Sequence, residues 1–389
     1  MSGRTASSAA RKRPCGPAPA GGLKAPLRLP LLAAGFIALF TGVFAGLVNF
    51  APLHLAPGAA LAVHHGPLMV CGFLGTVIGL ERAVALGARW PYLGPLAAGT
   101  GGLALIAGFP VIVGQALIAA ASVVLLAASY GVYRRQPALF TAVMALGAAS
   151  WLAGNLLWMI GLTMAEVVPY WAAFLLLTIA GERLELSRLL PPSPTGIRLF
   201  VLVMVALLVS LALVQLAETS GILLFAASLI ALAGWLARYD VARRTVRGTG
   251  LSRFIAVALL AGYSWLALGG FVILAAGGLT ASLEVYDAAL HAVFLGFVFS
   301  MIFAHAPVIL PAVARFAVPF RPVFYGHVGL LHGSLALRVA GDLAGVEPLR
   351  FLGAIGNAAA ILLFVLTTIF TVITARRAAA AAAAARPPV

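Results

Sequence analysis

The chain has 389 residues, of which 63% are hydrophobic and only 9% charged. No soluble domain needs so much apolar surface, and little of the chain is left over for a separate soluble catalytic domain. The formal net charge of +15 would suit nucleic acid if it formed one patch, but the cations are spread over alternate loops between apolar stretches, which excludes that partner.

Residues 1–28 are rich in Ala, Gly, Pro and basic side chains, and predict a disordered tail. An apolar stretch of roughly 20 residues crosses a bilayer as a helix. On that criterion the chain has about twelve: Leu29–Ala51, Leu61–Val84, Tyr92–Phe109, Val111–Tyr130, Leu139–Gly161, Val167–Ala180, Arg198–Leu216, Gly221–Leu236, Phe254–Gly277, Leu283–Pro307, Val323–Ala340 and Phe351–Ile373. The first is too long for a signal-peptide core and lacks a clear cleavage site, so it stays as a helix. The expectation is an all-α, polytopic membrane protein with one transmembrane domain over residues 29–375. The Ala/Pro-rich segment 376–389 is then either a helix extension or disorder.

Positive charge sets the orientation. The N-terminal tail carries Arg4, Arg11, Lys12, Arg13, Lys24 and Arg28, and every second loop after it is basic, down to Arg376 and Arg377. The intervening loops are nearly free of cations, with Arg350 the main exception. Both termini are therefore expected in the cytoplasm, with the protein in the inner membrane.

The second stretch ends in Glu81-Arg82 and the sixth in Glu182-Arg183. An interfacial ion pair explains each alone. The step of four helices between them, repeated once more, lands on the tenth stretch. It points to three units of four helices.

The tenth stretch carries histidine. There are seven His in the chain, and none between Pro67 and Leu290. His54 falls in a predicted outer loop; the others cluster in three apolar segments. Imidazole inside a bilayer is costly unless it ligates, relays a proton or pairs. His64 and His65 lie near the outer start of the second stretch, and His291 near the outer start of the tenth. Two neutral imidazoles on facing helices are a common way to hold haem iron from both sides. Gly72, seven residues after His65, would share its helix face and admit a flat macrocycle. Asp287, one turn before His291, could take its second ring proton. The competing reading is interfacial histidines wetted by headgroups.

Arg338 in the eleventh stretch has two readings. It could pair with Asp342 four residues on, or grip a carboxylate of a bound guest such as a haem propionate. His305, His327 and His332 form a second group toward the cytoplasmic side, where a copper ion, a proton relay or plain wetting by headgroups are all open. Pro307 and Pro311 predict a broken end to the tenth helix. Asn155, between Trp151 and Trp158, predicts an interhelical hydrogen bond, and Cys71 a small packing residue. No Ser-His-Asp set, P-loop or metalloprotease motif is present.

The segment His65-Gly66-Pro67-Leu68-Met69-Val70 resembles the His-Gly-x-x-Met-Ile element of haem–copper oxidase subunit I. In that family the second and tenth of twelve helices supply both axial histidines of a low-spin haem, and the helices form three arcs of four. The run from His291 to Ile302, with Gly326-His327 and the Leu335–Ala340 stretch around Arg338, is similar to the NnrS family of haem- and copper-containing membrane proteins linked to nitrosative stress. The oxidase copper centre needs histidines on the sixth and seventh helices, which this chain lacks. The resemblance thus implies a haem-b-holding scaffold without the reductase centre, serving the nitric-oxide response or respiratory electron transfer beside an electron-donor protein.

Two rivals remain. Gly79 to Arg89 loosely resembles a loop motif of major-facilitator transporters, which implies a solute carrier. A cofactor-free assembly partner of a respiratory complex is the other.

Overall fold

The computed structural model describes residues 22–48, 50, 60–189 and 191–384. His54 and most of the predicted N-terminal tail lie outside the described residues. What is described is helical, and no strand occurs among the described residues.

The helices are α1 (Ala25–Val48), α2 (His65–Leu86), α3 (Leu93–Ile106), α4 (Val111–Arg135), α5 (Leu139–Met159) and α6 (Met164–Leu186). They continue as α7 (Pro194–Leu216), α8 (Glu218–Tyr239), α9 (Gly250–Ala276), α10 (Leu283–Ala314), α11 (Phe324–Ala344) and α12 (Glu347–Ala384). Among the described residues, ten are long and apolar enough to cross a membrane, and the chain is a multi-pass membrane protein. The remaining two are α3 and α11. α3 is shorter than its predicted stretch, with 14 residues. Its glycines let neighbours approach closely: a Cβ on Gly102 would lie 3.3 Å from the Cα of Gly72 on α2. α11 is 21 residues long but carries two histidines, Arg338 and Asp342.

Neighbours in sequence pack as neighbours in space, with α5 on α6, α7 on α8 and α11 on α12 as the most extensive pairs. α10 departs from that rule. It touches α1, α2 and α6 as well as α9 and α11, so it runs through the middle of the bundle. Its core faces are Phe, Leu, Val and Ala, and Phe297 and Phe303 are fully buried.

Several boundaries differ from expectation. α1 begins inside the predicted tail, and Arg28 is buried there. Its Nε donates to Leu23 O and its Nη1 to Val313 O, both at 2.9 Å. The last carbonyls of a helix have no partner within it, so Arg28 ties the start of α1 to the end of α10. α10 is not broken at its prolines. It continues through Pro307 and Pro311 to Ala314, and stops at Arg315 with φ 60°. A proline removes one backbone hydrogen bond but keeps helical dihedrals. α12 runs on to Ala384 because alanine is the strongest helix former; residues 385–389 lie outside the described residues.

Two interruptions were invisible in the apolar pattern. α2 widens into a π-helix over Leu68–Leu74, and α10 over Ala292–Phe299. Each starts within three residues of a histidine, His65 or His291. π turns are rare and cluster at functional sites. The two segments match in register: each has Gly-Phe at its fifth and sixth positions (Gly72-Phe73, Gly296-Phe297) and a hydroxyl four residues beyond the glycine. Thr76 Oγ1 donates to Gly72 O and Ser300 Oγ to Gly296 O, both at 2.6 Å. Phe73 of one segment and Phe299 of the other face each other at 6.2 Å. α6, the middle member of the expected series, is α-helical throughout.

Candidate cofactor site

His65 and His291 face one another with ring centres 6.2 Å apart and planes inclined by 24°. Each is oriented by a carbonyl. His65 Nδ1 donates to Gly42 O on α1 at 2.7 Å, and His291 Nδ1 to Asp287 O at 2.8 Å. A carbonyl only accepts, so in both rings Nδ1 carries the proton and Nε2 keeps its lone pair. Both rings line one cavity of about 560 Å³, within the range that holds cofactors and small ligands. Metal–nitrogen bonds of about 2.0–2.1 Å, with roughly another ångström from each nitrogen to its ring centre, put two imidazoles facing across one metal about 6 Å apart.

The cavity is walled by α1, α2, α6, α10, α11 and α12, with Met69, Trp171, Phe294 and Ile361 among its apolar side chains. Trp171 is held by its Nε1, which donates to Asn155 Oδ1 at 2.9 Å. Asn155 therefore joins α5 to α6. Its Oδ1 also lies 3.5 Å from Cys71 Sγ, which in turn accepts from Trp151 Nε1 at 3.4 Å. Cys71, fully buried within the π segment, is thus a packing residue that also carries hydrogen bonds.

One wall is charged. Arg338 Nε and Nη2 donate to the two carboxylate oxygens of Asp287, each at 2.8 Å. Asp287 Oδ1 also lies 3.2 Å from His291 Nδ1. The partner expected for Arg338 within α11, Asp342, is instead taken by Arg350 of α12 at 2.8 Å. An aspartate on the neighbouring helix can meet the guanidinium fork squarely, whereas one turn along the same helix offers no such bidentate approach. Arg338 and Arg350 both stand over the Phe50 ring, at 5.6 and 5.3 Å, and both line the cavity. Two arginines and two aspartates cancel in net charge. What they leave for a guest is donor groups: among the described residues, Arg338 Nη1 and both Arg350 Nη atoms have no partner.

Other expected site residues lie elsewhere. His64 is a half-exposed turn residue and does not line the cavity. Gly72 faces away, since a Cβ there would meet Ala38 at 2.9 Å. The π segment between His65 and Gly72 alters the turn per residue, so a seven-residue step no longer returns to the same face. The glycine that receives His65 is Gly46 on α1, where a Cβ would lie 2.8 Å from both Cε1 and Nδ1 of the ring. Substitution Gly46→Val should push His65 off the cavity axis, and if the histidine pair holds a haem, should lower its occupancy at least tenfold, on the scale of disturbed metal-ligand supports; a haem titration of the variant beside the parent checks this.

His305, His327 and His332 are not brought together, and no group of three or more metal-capable side chains occurs among the described residues. His305 Nδ1 donates to Met301 O at 2.8 Å, and its Nε2 accepts from Arg183 Nη1 at 3.2 Å. A metal there would have to displace a cation. His332 Nδ1 accepts from Trp265 Nε1 at 2.9 Å, with Ser300 Oγ 3.5 Å from its Nε2. That contact joins His332 to the hydroxyl that caps the π segment of α10. His327 is buried among Phe254, Phe303, Phe324 and Phe364.

At the opposite end of the bundle, Arg183 binds Asp240 through Nε (2.6 Å) and Nη2 (2.8 Å) with both side chains buried. The arginine of the second Glu-Arg pair is thus bonded to α8, not to its own glutamate.

A family model described as a domain of unknown function (DUF8744) matches residues 28–373, from the first turn of α1 into α12. The chain belongs to the DUF8744 family. No curated protein matches it. The model's span takes in His65, His291, Asp287, Arg338 and Arg350, so the whole cavity belongs to the DUF8744 domain.

Proposed function

We propose that this protein carries a b-type haem between His65 and His291. The observation that carries the reading is the pair of imidazoles at 6.2 Å, each with Nδ1 on a carbonyl and both on the wall of one cavity. Hydrogen bonds that fix the tautomer are the usual support of a ligating histidine. The apolar walls suit a macrocycle, and the guanidinium groups of Arg338 and Arg350 on one wall suit its carboxylates.

A bound haem supplies one-electron chemistry; the residues decide which kind. With both His65 and His291 holding the iron, no position would be left open for a diatomic gas, which would favour electron transfer over gas capture. The matched π segments of α2 and α10 support the oxidase-like plan of twelve spans in three arcs. In that plan the termini are cytoplasmic, the membrane is the inner one, and a respiratory electron donor docks nearby. An NnrS-like part in nitrosative stress is the physiological setting this fits.

Absorption spectroscopy and metal analysis of the purified protein test it. The expected result is a Soret band and iron equimolar with the chain. A colourless protein that neither retains nor takes up haem would end the proposal. If its cavity instead filled with a carboxylate solute, the transporter reading would return.

A further inference from the structure

We infer that the α10–α11 turn and the end of α12 form a binding site for an anionic phospholipid. This site lies apart from the histidine cavity and does not depend on what fills it.

The argument begins with charge. Arg315 and Arg321 lie between α10 and α11, and Arg376 and Arg377 in α12. The sequence has no Asp or Glu between Ala288 and Gly341, and none after Glu347. Among the described residues none of these four arginines has a carboxylate partner, unlike Arg183, Arg338 and Arg350. Unpaired guanidinium groups at the edge of a bilayer attract lipid phosphate, by about 1 kcal/mol each near an anionic surface.

Geometry then makes a site of the charge. Arg321 Nη2 donates to Thr374 Oγ1 at 3.0 Å, and its guanidinium stands 5.9 Å from the centre of the Phe370 ring. Arg376 reaches back over Phe316 at 5.7 Å. These two contacts cross in opposite directions and hold the turn against α12. Beside the Arg321–Phe370 contact opens a cleft of about 690 Å³ lined by Arg321, Pro322, Val323, Leu366, Thr367 and Phe370. Val323, Leu366 and Phe370 are each more than half exposed, and Ile369 and Ile373 continue the apolar strip along α12. A cationic head above an open apolar groove matches a phosphate headgroup with an acyl chain beneath it. A zwitterionic lipid offers the same phosphate but adds a cation that these arginines repel. A free phosphate has nothing to fill the groove.

The test uses the full-length protein in detergent, by native mass spectrometry and thermal unfolding with added phosphatidylglycerol, phosphatidylcholine or inorganic phosphate. Phosphatidylglycerol should stay bound and raise the unfolding temperature, and the other two should not. Substitution Arg321→Gln should weaken phosphatidylglycerol binding about fivefold, and Leu366→Trp, which fills the groove but keeps the charge, should weaken it too. Arg243→Gln, at an exposed arginine beyond α8, should leave it unchanged. Equal retention of phosphatidylcholine, or equal stabilisation by inorganic phosphate, would overturn the inference. So would unchanged binding in both cleft variants.

Discussion

Protein bearing His65→Ala should lose almost entirely the Soret absorbance that the proposed haem would give it, and His291→Ala should do the same. Each substitution removes one of the two Nε2 atoms in the cavity and leaves the other with no opposing ligand. Disturbing only the hydrogen-bond partner of a metal ligand commonly costs 10–100-fold in affinity, so loss of a ligand itself should exceed about a hundredfold. The paired control is His64→Ala. His64 adjoins His65 in sequence but does not line the cavity, so this variant should keep the full spectrum. Equal pigment in all three variants would show that the imidazole pair holds nothing. Alanine at either position enlarges an existing cavity rather than burying a charge, so all three proteins should remain folded.

The largest loss of stability is expected at the other end. Arg183 and Asp240 are joined by two hydrogen bonds with their side chains 4% and 1% exposed. Removing one partner of a buried ion pair strands the other, at about 3–5 kcal/mol. Arg183→Met should therefore unfold in detergent at markedly lower denaturant concentration than the parent. The double variant Arg183→Met/Asp240→Leu should recover most of that loss, because a well-packed apolar pair is often no worse than an ionic one. Recovery should stop about 1 kcal/mol short. Asp240 Oδ1 also accepts from the backbone N–H of Ala242 at 2.6 Å, and leucine cannot replace that cap. A double variant no more stable than the single one would show that the pair is not the unit that matters.

Much of the architecture could be read from hydrophobicity, because lipid demands long apolar helices and nothing else in this chain competes with that demand. The convergence of His65 and His291 was readable for a related reason. Both stand near the same end of helices of like direction, and uncompensated imidazole there is costly. Arg350 was visible only as a lapse in the charge rule. It marks a site residue, since a cation bound to Asp342 and facing a cavity carries no topological signal. The misplacements share one cause. Counting sevens along a regular helix puts Gly72 on the face of His65, and nothing in residues 68–74 announces a wider turn. The Asp342 reading of Arg338 reflects that sequence offers only local partners, whereas α10 brings Asp287 alongside. His305, His327 and His332 are close along the chain, but packing gives each a different neighbour: Arg183, a ring of phenylalanines, and Trp265.

The π segments of α2 and α10 bear on how such a site tolerates change. A π turn amounts to one surplus residue in an α-helix. Deleting any single residue from 68–74 would let the hydrogen-bond ladder close up without harm to hydrophobicity. Because the wider turn is what absorbs the surplus residue, everything upstream would keep nearly its present phase about the axis, and His65 would still face the cavity. A shortening that no composition or hydropathy profile would register could thus erase the wide turn while leaving every span and the histidine pair in place.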